Sequence, residues 1–274
     1  MGVELFVRDL GGAGLPPLVV LHGLYGSSRN WVTVGRGLSE RFHVLALDLR
    51  NHGQSPHRHG MRYDALVEDV LTTLDGAGID AFTLMGHSLG GKVAMTLACR
   101  RPQRVDALWV LDIAPREYAP DTSLLDALLA VDLSAATRRA DVEEQVAAAI
   151  PDRGLRLFLL TNLVRSPEGA AHEYVWQADL EALREAMPEI RANPLAASDR
   201  YAGPTTFLVG GRSGYVREAD RDAILRHFPR ARIVELGGVG HNVHAEDPER
   251  FLSAVLGPGA AADGGDRQPP QARG

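Results

Sequence analysis

Hydrophobic and polar positions along most of this 274-residue chain fall into two alternating kinds of segment. Short apolar runs are followed by longer segments in which apolar residues recur every three or four positions. The short runs are typical of strands buried on both faces, and the longer segments predict amphipathic helices. Their alternation predicts a mostly parallel, doubly wound sheet with helices on both faces. The predicted strands are Val3–Asp9, Pro17–Leu21, His43–Asp48, Phe82–Met85, Val105–Leu111, Thr205–Gly210 and Arg232–Leu236.

The alternation stops after Pro115 and resumes near Thr205. Between these positions the chain has helical patterns and little strand signal, so we expect an all-helical cap above the carboxyl edge of the sheet. The last residues are rich in Gly, Ala, Pro and Gln without periodicity, which is typical of disorder. The predicted division is a core of residues 1–114 and 196–256, a cap of 115–195 and a disordered tail of 257–274.

A glycine-flanked serine stands where one predicted strand meets a helix, in Gly86-His87-Ser88-Leu89-Gly90. A strand that turns directly into a helix strains the turn residue, and neighbouring glycines avoid the clashes that a Cβ atom would cause. This strand–turn–helix context is that of the nucleophile elbow of α/β-hydrolases. We therefore predict an α/β-hydrolase fold with a sheet of the eight-stranded type, and Ser88 as the nucleophile. The Leu89 N–H, in the first turn of the helix, is a predicted oxyanion donor.

A second loop, His22-Gly23-Leu24, follows the strand Pro17–Leu21. His-Gly at this point matches the loop that completes the oxyanion hole in this fold. The Leu24 N–H is therefore the second predicted donor. We expect His22 itself to pack beneath the loop and to have a structural role.

The base and acid that a serine nucleophile needs follow it along the chain in the order Ser…Asp/Glu…His in this fold. His241 lies in a glycine-rich loop after the last strand and is the predicted base, with His244 as the alternative. The usual acid position after the cap holds Ser213, which cannot stabilise an imidazolium by charge. Asp112, which ends the strand beside that of the nucleophile, is the predicted acid. Ser213 is then a fourth, hydrogen-bonding member of the site.

Two alternatives to this assignment of the acid remain open from the sequence. Asp112 could instead cap a turn or helix. Asp220 and Asp222 also lie between the nucleophile and His241, although we expect both on the next helix and solvated.

Composition narrows the classes of partner and location. Nothing in the net charge of −6 suggests nucleic acid or an anionic membrane as a partner. A single cysteine, Cys99, allows no intrachain disulfide and favours a reducing compartment. No signal-peptide pattern or membrane-spanning run is visible, so the expected location is the cytoplasm. We interpret Lys92, the only lysine, as a sign of coding bias towards arginine.

The motifs together resemble those of the YbfF-type esterases and the related abhydrolase-domain 11 proteins. The resemblance covers about residues 3 to 256 and implies hydrolysis of carboxyl esters with small or medium acyl chains. It also implies an acid at Asp112 and a serine at Ser213. The shared strings run over residues 22–27, 48–57, 86–92, 112–115, 211–216 and 240–241.

The predicted function is that of a serine carboxylesterase that forms an acyl-enzyme and needs no metal or cofactor. A small-molecule ester would bind between cap and sheet, and the oligomeric state is not predicted. The two alternatives are a capped hydrolase acting on another bond (a C–C hydrolase, lyase or perhydrolase) and a weakly catalytic ligand-sensing module. The predicted pocket residues, each of which could instead belong to the core of the cap, are Tyr25, Tyr118, Phe158 and Trp176, with Leu24 and Leu159 as further apolar lining.

Overall fold

Nine strands and eleven α-helices make up the part of the chain that the structure, a computed structural model, describes: residues 2–168 and 170–257. The strands are β1 (Val7–Asp9), β2 (Pro17–Leu21), β3 (His43–Leu47), β4 (Phe82–His87), β5 (Val105–Leu111), β6 (Leu163–Arg165), β7 (Tyr174–Trp176), β8 (Thr205–Gly210) and β9 (Ala231–Leu236). The helices are α1 (Val32–Leu38), α2 (Tyr63–Gly76), α3 (Leu89–Arg100), α4 (Ser123–Leu129), α5 (Arg139–Ala147), α6 (Arg153–Leu159), α7 (Leu180–Glu185), α8 (Met187–Arg191), α9 (Arg221–His227), α10 (Val243–Glu246) and α11 (Pro248–Leu256).

Seven of the strands form one sheet in the order β1-β3-β2-β4-β5-β8-β9. β1 pairs antiparallel with β3, and the other neighbours are parallel. The mostly parallel α/β architecture predicted from the sequence is confirmed. The carboxyl ends of β4 and β5 are neighbours, so residues that follow these strands meet at one edge of the sheet.

Apolar side chains cover both faces of the sheet. Along β2, Val19 and Leu21 belong to one core while Leu18 and Val20 belong to the other, because successive side chains of a strand point to opposite faces. Apolar residues of α2 and α3 complete the first core, and residues of α1 and α11 complete the second. The rigid centre created in this way holds the strand ends in place.

Two strand predictions need correction. The described residues contain seven strands in the main sheet, not eight, and the first strand begins at Val7 instead of Val3. The strand starts late because the backbone N–H groups of Val3 and Leu5 donate to side chains of α2 instead of to a neighbouring strand. The Val3 N–H donates to Asp69 Oδ1 at 2.8 Å, and the Leu5 N–H donates to Thr73 Oγ1 at 2.9 Å.

The segment between β5 and β8 contains α4 to α8, as expected for a helical cap, but it is not all-helical. β6 and β7 form a two-stranded antiparallel sheet in which Leu163 pairs with Trp176. Each strand has only three residues, too few for a period-two pattern to be recognised in the sequence. The boundaries of the cap stay a prediction.

The predicted tail falls almost entirely on residues 258–274, which lie outside the described part of the chain. Within the described part, no helix combines the length and the apolar character that crossing a membrane requires.

Candidate active site

Ser88 occupies the turn between β4 and α3 with φ 51° and ψ −114°, a left-handed conformation that non-glycine residues rarely adopt. The flanking glycines make this turn possible. A Cβ atom on Gly86 would lie 2.2 Å from the carbonyl oxygen of Gly90, which no packing adjustment could accommodate. The strained turn therefore fixes the serine at the carboxyl edge of the sheet, as the sequence predicted.

The loop after β2 packs directly against this turn. A Cβ atom on Gly23 would lie 2.8 Å from His87 Nδ1 and 3.2 Å from Ser88 Cβ, so the close approach requires glycine. The Gly90 N–H donates to the carbonyl of His22 at 3.1 Å, which ties the loop to the start of α3. Leu24 and Leu89 both line the cavity that contains Ser88. Leu89 is the first residue of α3, where a backbone N–H has no acceptor within the helix.

His22 has the structural position expected of it. Its ring is buried, with Nδ1 2.8 Å from the carbonyl oxygen of Gly23, and Nε2 accepts a hydrogen bond from the Leu49 N–H at 2.9 Å. Nδ1 must therefore carry the proton and donate to Gly23. Burial lowers the pKa of His22, which keeps the ring neutral and consistent with these two bonds.

The fully buried Asp112 follows β5 and brings together the predicted base and the predicted fourth member of the site. Its Oδ2 atom accepts hydrogen bonds from His241 Nδ1 at 2.7 Å and from the Ser213 hydroxyl. Its Oδ1 atom accepts from the Gly210 N–H at 2.9 Å. Three donors thus compensate the cost of burying this carboxylate. If Asp112 only capped a turn, its contact with Gly210 would be explained, but its contacts with His241 and Ser213 would not.

The imidazole of His241 is held on several sides. The ring stacks on that of Tyr215 with centroids 3.8 Å apart. The backbone carbonyl oxygen of His241 lies 2.9 Å from His87 Nε2. Burial lowers the pKa of His87 well below its usual value, so that neutral ring donates its Nε2 proton to this carbonyl. Because a carboxylate only accepts, Nδ1 of His241 carries the proton shared with Asp112. In the neutral form of the ring Nε2 then has the lone pair, and the ring lines the same cavity as Ser88.

The alternative base and acids occupy other environments. His244 is buried and stacks on Trp31 with centroids 4.5 Å apart, so it packs within the core. Asp220 was expected to be solvated, and that expectation is wrong. It is buried, lies 3.3 Å from Arg116 Nε and accepts a hydrogen bond from the backbone of its own turn. Asp222 is exposed, as expected.

The cavity at Ser88 has a volume of about 160 Å³. Three of the four predicted pocket residues line it, namely Tyr25, Tyr118 and Phe158. Trp176 does not: it lies on β7 and lines a separate pocket with Leu129 and Leu180. Leu159, the further suggestion, is fully buried in the core instead. The unpredicted hairpin explains the position of Trp176, because the strand rather than a helix sets the direction of its side chain.

Lys92 was assigned no part in the site from the sequence, but the structure places it there. It is buried on α3 and lines the Ser88 cavity, where its Nζ donates to the carbonyls of Arg191 at 3.1 Å and Ala192 at 2.6 Å. Burial, together with the nearby Arg191 and Arg116, lowers its pKa to about 7. Coding bias explains why other lysines are missing but not why this one lies within an apolar helix. That isolated cation beside the elbow was the signal available in the sequence.

A metal site requires several ligating side chains in one place. Across the described residues, no group of three or more His, Cys, Asp or Glu side chains is placed to hold one.

Comparisons with known proteins place the chain among its relatives. The family model described as alpha/beta hydrolase fold matches residues 16–248. The chain belongs to this family. It is 37% identical over 256 residues to the sn-1-specific diacylglycerol lipase ABHD11 of Mus musculus, covering 89% of this chain and 81% of the relative. It is 35% identical over 242 residues to esterase YbfF of Escherichia coli K12, covering 88% and 91%.

A solved structure described as a marine microorganism esterase superposes with a TM-score of 0.89 at 34% identity, covering 93% of this chain and 99% of that one. The resemblance inferred from the motifs, to YbfF-type and abhydrolase-domain 11 proteins, is thereby confirmed.

Proposed function

We propose that this α/β-hydrolase is a serine carboxylesterase, with Ser88 as nucleophile, His241 as base and Asp112 as the orienting acid. The observation that carries the proposal is the 2.7 Å contact between Asp112 and His241, which come from distant parts of the chain, beside the cavity that contains Ser88. The names of the relatives, a lipase and two esterases, support the same class of reaction.

In the proposed mechanism, Ser88 Oγ attacks the ester carbonyl carbon while its proton passes to Nε2 of His241. Asp112 keeps the ring in the required tautomer and stabilises the imidazolium that forms. The carbon–oxygen bond to the alcohol then breaks, and the alcohol leaves with the proton from His241. A water molecule repeats the sequence on the acyl-enzyme, which releases the acid and restores the serine.

The oxyanion that develops in both steps would be bound by the N–H groups of Leu24 and Leu89. The close approach of Gly23 to the turn and the hydrogen bond from the Gly90 N–H to the His22 carbonyl support this role, because they tie the loop of Leu24 to the start of α3. Such preorganised donors are worth about 3 kcal/mol each in the transition state.

The cavity argues for a small or medium acyl group. Its volume of about 160 Å³ is close to that of an engineered apolar cavity, roughly 150 Å³, that binds benzene. Much of its lining is apolar, with Ile113, Leu124, Leu155 and Phe158 among the residues.

The test is hydrolysis of p-nitrophenyl esters with acyl chains of two to eight carbons, with labelling by a fluorophosphonate as a second readout. We expect turnover and labelling, and loss of both in Ser88→Ala. The variant Ser253→Ala changes an exposed serine on α11, outside the cavity, and is the matched control, expected to keep both. Labelling without turnover of any ester would favour a reaction on another bond. Absence of labelling would favour a ligand-sensing module and overturn the proposal.

A further inference from the structure

Two basic side chains line one part of the Ser88 cavity, and the proposed ester hydrolysis does not use them. Lys92 and Arg191 both line the cavity, and no aspartate or glutamate is among the residues that line it. The rest of the lining is apolar, aromatic or neutral apart from the histidines. A cavity built only for neutral acyl chains would not need two cations.

Arg191, the last residue of α8, is incompletely partnered. Its Nε atom is buried without a hydrogen-bond acceptor, and none of the ion pairs within residues 2–168 and 170–257 involves its guanidinium. An acceptor missing from a buried, charged donor costs free energy, and an anion beside the guanidinium in the cavity would offset part of that cost. Asp121 is an acid nearby, but it is exposed and accepts a hydrogen bond from the Ser123 N–H at 2.9 Å.

Lys92 is the second basic group. Its lowered pKa of about 7 leaves it partly protonated at neutral pH, and a nearby anion would favour the protonated form. Two of the three N–H bonds of its ammonium group are directed to the carbonyls of Arg191 and Ala192, and its Nζ lies 4.7 Å from the centre of the Tyr118 ring. These contacts fix the two cations relative to each other. Their mutual repulsion within a buried site is a cost that a bound anion would offset.

We propose that Arg191 and Lys92 form an anion subsite, and that the preferred substrates are short esters carrying a carboxylate a few carbons from the scissile carbonyl. A carboxylate suits the site because its planar pair of oxygens matches the donors of a guanidinium. A cavity of about 160 Å³ suits a spacer of a few carbons between the two groups. This inference rests on the proposed esterase function for the reaction itself.

The test compares two esters with the same carbon skeleton, monomethyl glutarate, which is an anion, and dimethyl glutarate, which is neutral. We expect kcat/KM to be higher for the monoester, and the ratio between the two to fall by about tenfold or more in Arg191→Gln, which loses a charged hydrogen bond. The control is Arg184→Gln, which removes an exposed arginine that pairs with Asp126 on the cap helices and should leave the ratio unchanged.

A second pair of substrates determines the side on which the carboxylate binds. In 4-acetoxybutyrate the carboxylate lies on the alcohol side of the ester, and its methyl ester is the neutral comparison. A preference for the anion in either pair, reduced by Arg191→Gln, supports the subsite. A preference in neither pair, or a ratio that Arg191→Gln does not change, overturns it.

Binding to the Ser88→Ala protein separates this proposal from the esterase function. Calorimetric titration should show tighter binding of monomethyl glutarate than of dimethyl glutarate, and the added Arg191→Gln change should abolish the difference. If wild-type protein hydrolyses no ester but this difference is found, the esterase proposal fails and the subsite stands. If neutral esters are hydrolysed through Ser88 and no preference appears in binding or turnover, the subsite fails alone.

Discussion

Replacing Asp112 by asparagine tests the proposed triad at its least usual point, a carboxylate supplied from β5. The hydrogen bonds determine how the new amide would lie. The Gly210 N–H can only donate, so the amide oxygen must take the Oδ1 position, where the donor–acceptor distance is 2.9 Å. The amide nitrogen then takes the Oδ2 position and donates to His241 Nδ1.

This reversal stabilises the wrong tautomer of the imidazole, with the proton on Nε2, where it cannot accept the proton of Ser88. The equivalent change in a well-studied triad lowers kcat by about 10⁴-fold. That loss corresponds to about 5 kcal/mol of transition-state stabilisation. The amide preserves the size of the side chain and the contact with Gly210, and the Ser213 hydroxyl can rotate to a compatible orientation. We therefore expect folding to be preserved.

The assay measures kcat on p-nitrophenyl butyrate together with the circular dichroism spectrum and the thermal unfolding midpoint. The expected result is a folded protein with kcat lowered by roughly three to four orders of magnitude. A folded Asp112→Asn protein whose kcat stays within about tenfold of wild type would refute the assignment of Asp112 as the orienting acid.

Two further changes probe the hydroxyl beside the acid and the buried cation. Ser213→Ala removes one of the three donors to Asp112 and leaves the contact with His241, so kcat on the same ester should fall only about tenfold; a loss larger than that of Asp112→Asn would reverse the two roles. Folding lowers the pKa of Lys92 from 10.5 to about 7. Between pH 7 and pH 10.5 the unfolded chain therefore binds more protons than the folded protein, so the free energy of unfolding rises with pH in this range. From pH 6 to pH 9, wild type should gain about 3 kcal/mol of unfolding free energy relative to Lys92→Met in denaturant titrations, and parallel curves would contradict the buried cation.

The turn at Ser88 could be predicted because local backbone rules determine it. A strand that turns at once into a helix needs glycine on either side of the turn, and Gly86 and Gly90 supply it. The position of Asp112 could be predicted because parallel neighbouring strands end at one edge of the sheet, so β4 and β5 bring Ser88 and Asp112 to the same edge. Both arguments use only spacing and strand order.

The cap was less predictable because its structure depends on contacts that are distant in sequence. β6 and β7 are stabilised by pairing with each other across an intervening loop, and no periodicity within three residues reveals such a pair. Trp176 was therefore assigned to the pocket on apolar character alone. The burial of Asp220 could not be predicted, because it depends on pairing with the charge of Arg116, which lies 104 residues away in the sequence.

The buried charges near Ser88 differ in how completely the protein compensates them, and that difference separates their expected roles. Asp112 accepts three hydrogen bonds, so it has the same partners whether or not substrate is bound. Arg191 has a buried Nε without an acceptor, and Lys92 lies close to the positive charge of Arg191. Leaving one member of a charge pair buried alone is strongly destabilising, so a site with two cations is at its most stable when an anion joins them. We therefore expect substrate to change the environment of Lys92 and Arg191 while leaving that of Asp112 unaltered.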